Sequence, residues 1–380
     1  MLKEFRVKNF MNFRDELRID FSNIGGYQFN ENCICNGLIS KMLLYGRNAS
    51  GKTNLGLAFM DAPSMFTGKK PLHPATTFLN ADSNEDTAEF YYLFQLDAGE
   101  AVYHYAKESW DSLRSEELTI NGQLVFSVNY TEKAFSRVDY DFLNTDEETA
   151  VRFFSLVYES DDTGHMPFLR WLSANVGIDP DSALIGLTSA LSGAYMMGLR
   201  HRVNLSEWTQ NMSRFFESLA APNALQEFES FLNAMGVECK LVLKILPDGK
   251  HQLYFAHEHL LPFTENMSSG TQALTNLYRG LILREKVPTL IYLDEFDAFY
   301  HYEMAETLVR FLRDRYPKAQ VILTSHNTGL ITNRLSRPDC VFILSRSGKL
   351  TALRNATERE LREGHNLEKM YISGEFEHYE

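Results

Sequence analysis

Cysteine is scarce: Cys33, Cys35, Cys239 and Cys340 are the only four in 380 residues. A disulfide scaffold is excluded, and a reduced, cytoplasmic setting is expected. Cys33 and Cys35 form a C-x-C pair with no second pair and no nearby histidine, short of the four ligands of a structural zinc site. Surplus positive charge is also missing. Thirty-seven Lys+Arg face 50 Asp+Glu, a net charge of −13, so indiscriminate coating of nucleic acid is excluded and any such contact needs a local basic patch or a partner. The first ten residues, MLKEFRVKNF, lack the apolar core and cleavage site of a signal peptide. Internal repeats and low-complexity segments are absent. The one long uncharged stretch, 182–199, contains Gly186, Thr188, Ser189, Ser192, Gly193 and Gly198. Its modest apolarity argues against a membrane span, and a buried or interface helix with small packing residues is expected. What remains is ordinary for a globular chain of two or three domains: 44% hydrophobic and 23% charged residues.

Apolar and charged residues alternate over 1–21 (Phe5, Val7, Phe10, then Leu17, Ile19, Phe21), which predicts a two-stranded hairpin. The run MLLY at 42–45 reads as a buried strand, with a helix over 54–61. Residues 89–128 read as an antiparallel block, turned at Gly99 and at Asn121-Gly122. From about 145 to 235 strand signals give way to helical periodicity, and Pro180 and Pro222 stand where helices would begin. Strands return over 237–257 around Asp248-Gly249. A helix over 269–286, a strand TLIYLD, a helix over 301–315, a strand QVILTS and closing strands near 340–353 complete the pattern. The expected division is an N-terminal lobe 1–140, a helical insertion 141–236 and a C-terminal lobe 237–380, giving an α/β framework with an inserted helical subdomain.

The chemistry is concentrated at four points. Residues 46–53, GRNASGKT, follow a strand and open a helix, as the G-x-x-x-x-G-K-[ST] phosphate loop requires. Gly46 and Gly51 let the backbone curl so that the amides of residues such as Asn48 and Ser50 face phosphate oxygens at a helix N-terminus. Lys52 would reach β- and γ-phosphates, and the Thr53 hydroxyl would ligate Mg²⁺, making ATP the expected cofactor. The strand LIYLDE ends in Asp294, placed to hold Mg²⁺, and Glu295, placed to polarise an attacking water. Solvated acids at a strand end are the plain alternative. In MSSGTQ, Ser268 and Gly270 precede a helix; an ordinary N-cap reads the same way. His326 ends VILTSH, 31 residues after Glu295.

These motifs, in this order, resemble those of ABC-type ATPases: phosphate loop, signature, acidic strand, switch histidine. The resemblance implies that Ser268 and Gly270 cradle the γ-phosphate bound by an opposite subunit, and that His326 senses it. FRVKNFMNFRDELRIDF, GRNASGKTN and DEFDAFYH further resemble the SMC/RecF-like branch, with Asp297 in a subunit-contact loop. Thr271 at the signature's last position, where transporters have Gln, agrees with that branch. The similarity extends to stand-alone ATP-binding proteins of phage-defence and abortive-infection operons (the PARIS, OLD and RloB-associated type), including the tail GHNLEKMYISGEFE. It covers about 1–130 and 237–380. It implies an ABC-type ATPase head with a mixed central sheet, an antiparallel β subdomain and the helical insertion. It further implies ATP-dependent homodimers or higher oligomers, a co-encoded effector such as a nuclease or toxin, and a DNA or phage-protein trigger. A RecF- or SMC-like ATPase acting directly on DNA is the alternative. The insertion is too short and too aromatic for a long coiled coil. A Q-loop glutamine has no clear position: Gln95 lies in a strand-like run, and the region near Phe78 is the other place for that loop.

Other candidates are weaker. His251, His257 and His259 lack a completing ligand. Arg200, His201 and Arg202 form a small basic spot. The arginines and Lys349 over 346–362 are interleaved with glutamates. A catalytic triad, an HNH pattern and the acidic cluster of a TOPRIM nuclease are all missing, so any output is expected from a separate protein.

Overall fold

The computed structural model describes residues 1–69, 77–159, 166–179, 181–198, 205–284 and 286–379. Pro180 and the Arg200–His201–Arg202 spot fall outside them. The chain divides into two compact units: Met1–Met196 with Pro288–Asp294 and Tyr316–Glu380, and Met197–Val287 with Glu295–Arg315. The 1–140 segment lies wholly in the first. The 141–236 and 237–380 segments are each shared between the two.

The first unit is built on two large sheets, with a small two-stranded one, Ile34–Cys35 and Leu38–Ile39, beside them in sequence. The alternating residues of 1–21 form the antiparallel strands Leu2–Lys8 and Leu17–Asp20. Leu2–Lys8 also pairs with Ala88–Leu96, and a meander continues through Gly99–Lys107, Leu113–Ile120, Gln123–Asn129 and Ala134–Val138 to make seven strands. Period-two alternation buries Phe90, Tyr92, Tyr103 and Tyr105 on one face. Asn121 (φ 50°) and Gly122 (φ 80°) turn the third hairpin with both φ values positive, as a two-residue primed turn demands.

The second sheet has six strands in the order Ala194–Gly198, Leu290–Asp294, Gln320–Ser325, Lys41–Tyr45, Val341–Leu344, Leu350–Ala352. The middle four are mutually parallel and the last is antiparallel. Their near-continuous burial explains the unbroken apolar runs in the sequence.

The uncharged stretch departs from the expected single helix. Ala183–Ser192 is helical, but Ala194–Gly198 is a strand at the edge of this sheet. Gly193 is the break. Its N–H closes the helix on Ser189, and its carbonyl accepts from Thr289 N at 3.0 Å. A Cβ there would meet Thr289 Oγ1 at 2.7 Å, so only glycine lets the chain cross so close to the neighbouring strand. The 145–235 region is therefore not purely helical. Among the described residues, no helix is long and apolar enough to cross a membrane.

Helices Glu147–Glu159 and Phe168–Asn175 also belong to the first unit. The buried Glu116 carboxylate, on the strand Leu113–Ile120, accepts from Phe168 N (2.7 Å) and Leu169 N (3.0 Å), as well as from the Tyr103 and Tyr130 hydroxyls. The helix has no side-chain cap of its own, and Glu116 supplies one from across the chain. The second unit contains helices Leu205–Ser218, Ala224–Ala234, Ser269–Leu277 and Tyr302–Arg315, and the sheet Leu241–Ile245, His251–Phe255, Leu261–Pro262. Its core is aromatic: Phe228 lies 4.8 Å from Tyr278 and 5.1 Å from Phe215, ring centre to ring centre. The helix expected over 269–286 is α-helical only to Leu277 and widens into a π-helical turn, Tyr278–Ile282.

Candidate functional site

The C-terminal ends of three parallel strands meet at one edge of the six-stranded sheet. Tyr45 pairs with Ser325, and Leu293 pairs with Leu323. Register alone therefore brings Gly46 together with Asp294 and the Thr324–His326 segment, which come more than 240 residues later in sequence. Open α/β sheets bind ligands at such strand ends.

The loop at 46–51 leaves Tyr45 and enters the helix Lys52–Phe59. Ala49 (φ 64°) and Gly51 (φ 98°) have left-handed backbone. A Cβ on Gly46 would stand 2.6 Å from Leu344 O and from Ser50 Oγ. Arg47, Asn48 and Ala49 are exposed, whereas Gly46 and Ser50 are buried. Ser50 Oγ is buried without a hydrogen-bond partner among the described residues. The helix has no side-chain cap at its N-terminus, so its first amides are left for another acceptor. Lys52, 5% exposed, folds back so that Nζ lies 2.8 Å from Gly46 O and 3.3 Å from Arg47 O.

Asp294 is buried and held from two sides. Thr53 Oγ1 donates to its Oδ2 at 2.6 Å, and Thr324 Oγ1 to its Oδ1 at 2.8 Å. The sequence-predicted pair Thr53 and Asp294 is thus in direct contact. Tyr292, two residues earlier, donates its hydroxyl to Lys52 O. Burial, reinforced by the Asp294 charge, pushes the Tyr292 phenol well above its ordinary pKa, so it remains a neutral donor. Glu295 opens the second segment of the second unit with a left-handed backbone (φ 48°) in a turn closed by Ala298 N onto its carbonyl. A non-glycine residue in that region stores about 1 kcal/mol or more of strain. His326 is exposed just past the strand Gln320–Ser325.

In the second unit, Ser268 is the N-cap of Ser269–Leu277. Its Oγ accepts from Thr271 N at 3.1 Å and lies 2.9 Å from Thr271 Oγ1. Ser268 remains exposed. Gly270 has the carbonyl of Phe299 3.1 Å from where its Cβ would be, a close approach that favours glycine.

Thr324, Tyr292, Asn12 and Asn54 join the site although the motif pattern does not single them out. Thr324 is legible as the first polar residue after the apolar run VIL, one strand over from Asp294. Asn12 carries no signal, because only folding brings it to the loop. Gln95 lies on Ala88–Leu96, its Nε2 3.5 Å from Asn36 O. Phe78 is buried against Phe10 and Trp110.

The donor set suits a polyphosphate and a hard divalent cation. An uncapped helix N-terminus, a buried serine hydroxyl and a lysine line the loop, and a carboxylate paired with a hydroxyl stands beside it. Mg²⁺ is commonly held by only one or two protein oxygens. Among the described residues, no group of three His, Cys, Asp or Glu side chains is placed to hold a metal.

Comparison with solved structures finds SMC heads. The SMC head domain from Thermotoga maritima aligns with TM-score 0.46 and 15% identity, over 92% of this chain and 98% of that one. The Smc head domain with an extended coiled coil, bound to the C-terminal domain of ScpA, from Pyrococcus furiosus gives 0.49 and 13%, over 92% and 95%. The Smc head domain with a coiled coil and joint from Pyrococcus yayanosii gives 0.49 and 13%, over 93% and 98%. No curated protein matches the sequence. The family model described as "AAA domain, putative AbiEii toxin, Type IV TA system" matches residues 41–332, which span the phosphate loop, Asp294 and His326, and the chain belongs to this AAA_21 family.

Proposed function

We propose that this protein binds ATP with Mg²⁺ on the 46–53 loop and hydrolyses it in a site completed by a second copy of the chain. The observation that carries this reading is the part-buried contact between Thr53 Oγ1 and Asp294 Oδ2: the two side chains a nucleotide-bound cation needs are already side by side at the loop. Bound Mg²⁺ would neutralise charge developing on the β- and γ-phosphate oxygens. Gly46, Asn48, Ser50 and Gly51 shape the cradle. Lys52 exchanges its loop carbonyls for phosphate oxygens. Thr53 and Asp294 hold the cation, with Thr324 fixing the Asp294 carboxylate. Glu295 orients and deprotonates the attacking water, and His326 contacts the γ-phosphate. Ser268 and Gly270 act on the γ-phosphate bound by the partner copy.

In the wider setting, ATP-dependent pairing of two copies controls a separate effector, a nuclease or toxin, in a cytoplasmic anti-phage defence system. The family's description, which names a putative AbiEii toxin and a Type IV TA system, supports a toxin–antitoxin setting. The net charge of −13, which disfavours unaided binding of DNA, supports an output through another protein.

Calorimetry on Lys52→Ala tests the core of the reading. ATP affinity is expected to fall at least tenfold, about 1.4 kcal/mol. Unchanged affinity removes the 46–53 loop from nucleotide binding, and the rest of the assignment goes with it.

A further inference from the structure

We infer that Asn12 is a positioning residue that locks the phosphate loop in its anion-binding form from the antiparallel sheet. The inference rests on the nucleotide-binding reading and adds to it a residue outside the 46–53 motif.

Asn12 sits on a tight turn. Phe10 and Phe13 exchange backbone hydrogen bonds at 2.9 and 2.8 Å, and Met11 between them has φ 50°. Both phenylalanines are fully buried, whereas Asn12 is half-buried. Met11 is held further by its N–H on Phe78 O and by Asn80 Nδ2 on its carbonyl, at 2.7 Å. The turn is therefore a rigid mount. From it the Asn12 side chain spans the end of the phosphate loop. Nδ2 donates to Ser50 O at 3.3 Å, and Oδ1 accepts from Asn54 Nδ2 at 2.7 Å. The amide also fills the space beside Gly51, where an added Cβ would meet its nitrogen at 2.3 Å.

The consequence follows from peptide geometry. In a trans peptide the carbonyl of one residue and the N–H of the next point in opposite directions. Holding Ser50 O toward Asn12 therefore turns the Gly51 N–H away, toward the inner side of the loop. Without that hold, the Ser50–Gly51 peptide is free to rotate, because glycine accepts both signs of φ. Asn54, in the first turn of the helix, fixes the amide's orientation, so that its nitrogen and not its oxygen faces Ser50. Asn12 and Asn54 thus act in series on one peptide plane.

The test measures binding of ATP·Mg²⁺ and of inorganic tripolyphosphate to the full chain by calorimetry, with thermal melting as a check on folding. Asn12→Ala is expected to weaken both ligands by about tenfold, since a lost cradle amide affects the phosphates whatever is attached to them. Asn12→Asp keeps the bond from Asn54 but cannot donate to Ser50 O, and is expected to weaken both at least as much. Asn54→Ala is expected to weaken both by a smaller factor, and Asn12→Ala/Asn54→Ala to match Asn12→Ala alone, because residues acting in series are not additive. Unchanged affinity in a folded Asn12→Ala protein overturns the inference. So do multiplying losses in the double variant, or a loss for ATP without one for tripolyphosphate. Should Asn12→Ala fail to fold, Asn54→Ala, which leaves the turn intact, decides in its place: weakened binding of both ligands supports the inference and unchanged binding overturns it. Failure of the wild type to bind either ligand overturns the nucleotide reading instead.

Discussion

Glu116 shows how much a single buried side chain can decide. Each of its oxygens accepts one tyrosine hydroxyl and one backbone amide: Oε1 takes Tyr103 and Leu169, Oε2 takes Tyr130 and Phe168. The hydroxyls can rotate to accept instead, but the two amides cannot. In Glu116→Gln, either orientation of the new NH₂ sets it against a backbone N–H. A near-isosteric change is therefore expected to cost about 1–3 kcal/mol, read as a lower denaturant midpoint with an unchanged slope. The pH dependence has a definite sign. Burial raises the Glu116 pKa above the ordinary carboxylate value, against the four hydrogen bonds that lower it. The folded state then binds more protons than the unfolded one between the ordinary and the raised pKa. This group's contribution to stability is fully present below that window and declines as pH rises through it. Glu116→Gln should lose that part of the slope, and a difference between wild type and variant that is flat with pH refutes the assignment.

At the scale of elements, the phosphate-loop helix Lys52–Phe59 is set against the sheet through a glycine. Gly56 is buried mid-helix, and a Cβ there would meet Tyr292 Cε1 at 2.5 Å and Met196 Cε at 2.8 Å. Gly→Ala inside a helix ordinarily gains up to about 1 kcal/mol. Here the Tyr292 ring is fully buried and tied to Lys52 O, so it cannot yield without moving the helix start. Overpacking of about 1–3 kcal/mol should win, and Gly56→Ala is expected to lower the melting temperature; a rise would show that the helix re-seats freely. The same elements show what the sequence disclosed. The strands around the motifs and the three glycine-turned hairpins were legible, because alternation and turn residues act locally. The edge strand Ala194–Gly198 was not. Its residues are uncharged whether helical or extended, and only Gly193 crossing against Thr289 breaks the helix. The Asn12 contact was illegible for the same reason, since it depends on which turn of the antiparallel sheet meets the loop.

At the scale of the molecule, the arrangement of motifs makes a prediction that no single site can. Thr53 and Asp294 lie in the first unit, Ser268 and Gly270 in the second, at the exposed start of the helix Ser269–Leu277. The Ser268 hydroxyl does what an ordinary N-cap does. The worth of that cap is about 1 kcal/mol, so a stability change alone cannot distinguish capping from a role on a partner's nucleotide. Hydrolysis can. If the signature serves a second copy, Ser268→Arg should leave ATP binding near wild type and abolish turnover, because the arginine blocks the partner's γ-phosphate. Lys52→Ala should abolish binding and turnover in its own loop while keeping an intact signature. Mixed in equal amounts, the two inactive proteins form some pairs in which one composite site has an unaltered loop from the Ser268→Arg copy and an unaltered signature from the Lys52→Ala copy. Each such pair has one working site of two, so steady-state hydrolysis should rise clearly above that of either protein alone, to about one quarter of wild type where pairing is random and to less where the Lys52→Ala copy pairs poorly for want of ATP. A mixture no more active than either protein alone, or a Ser268→Arg protein that hydrolyses normally, leaves the serine as a helix cap and confines the reaction to one chain.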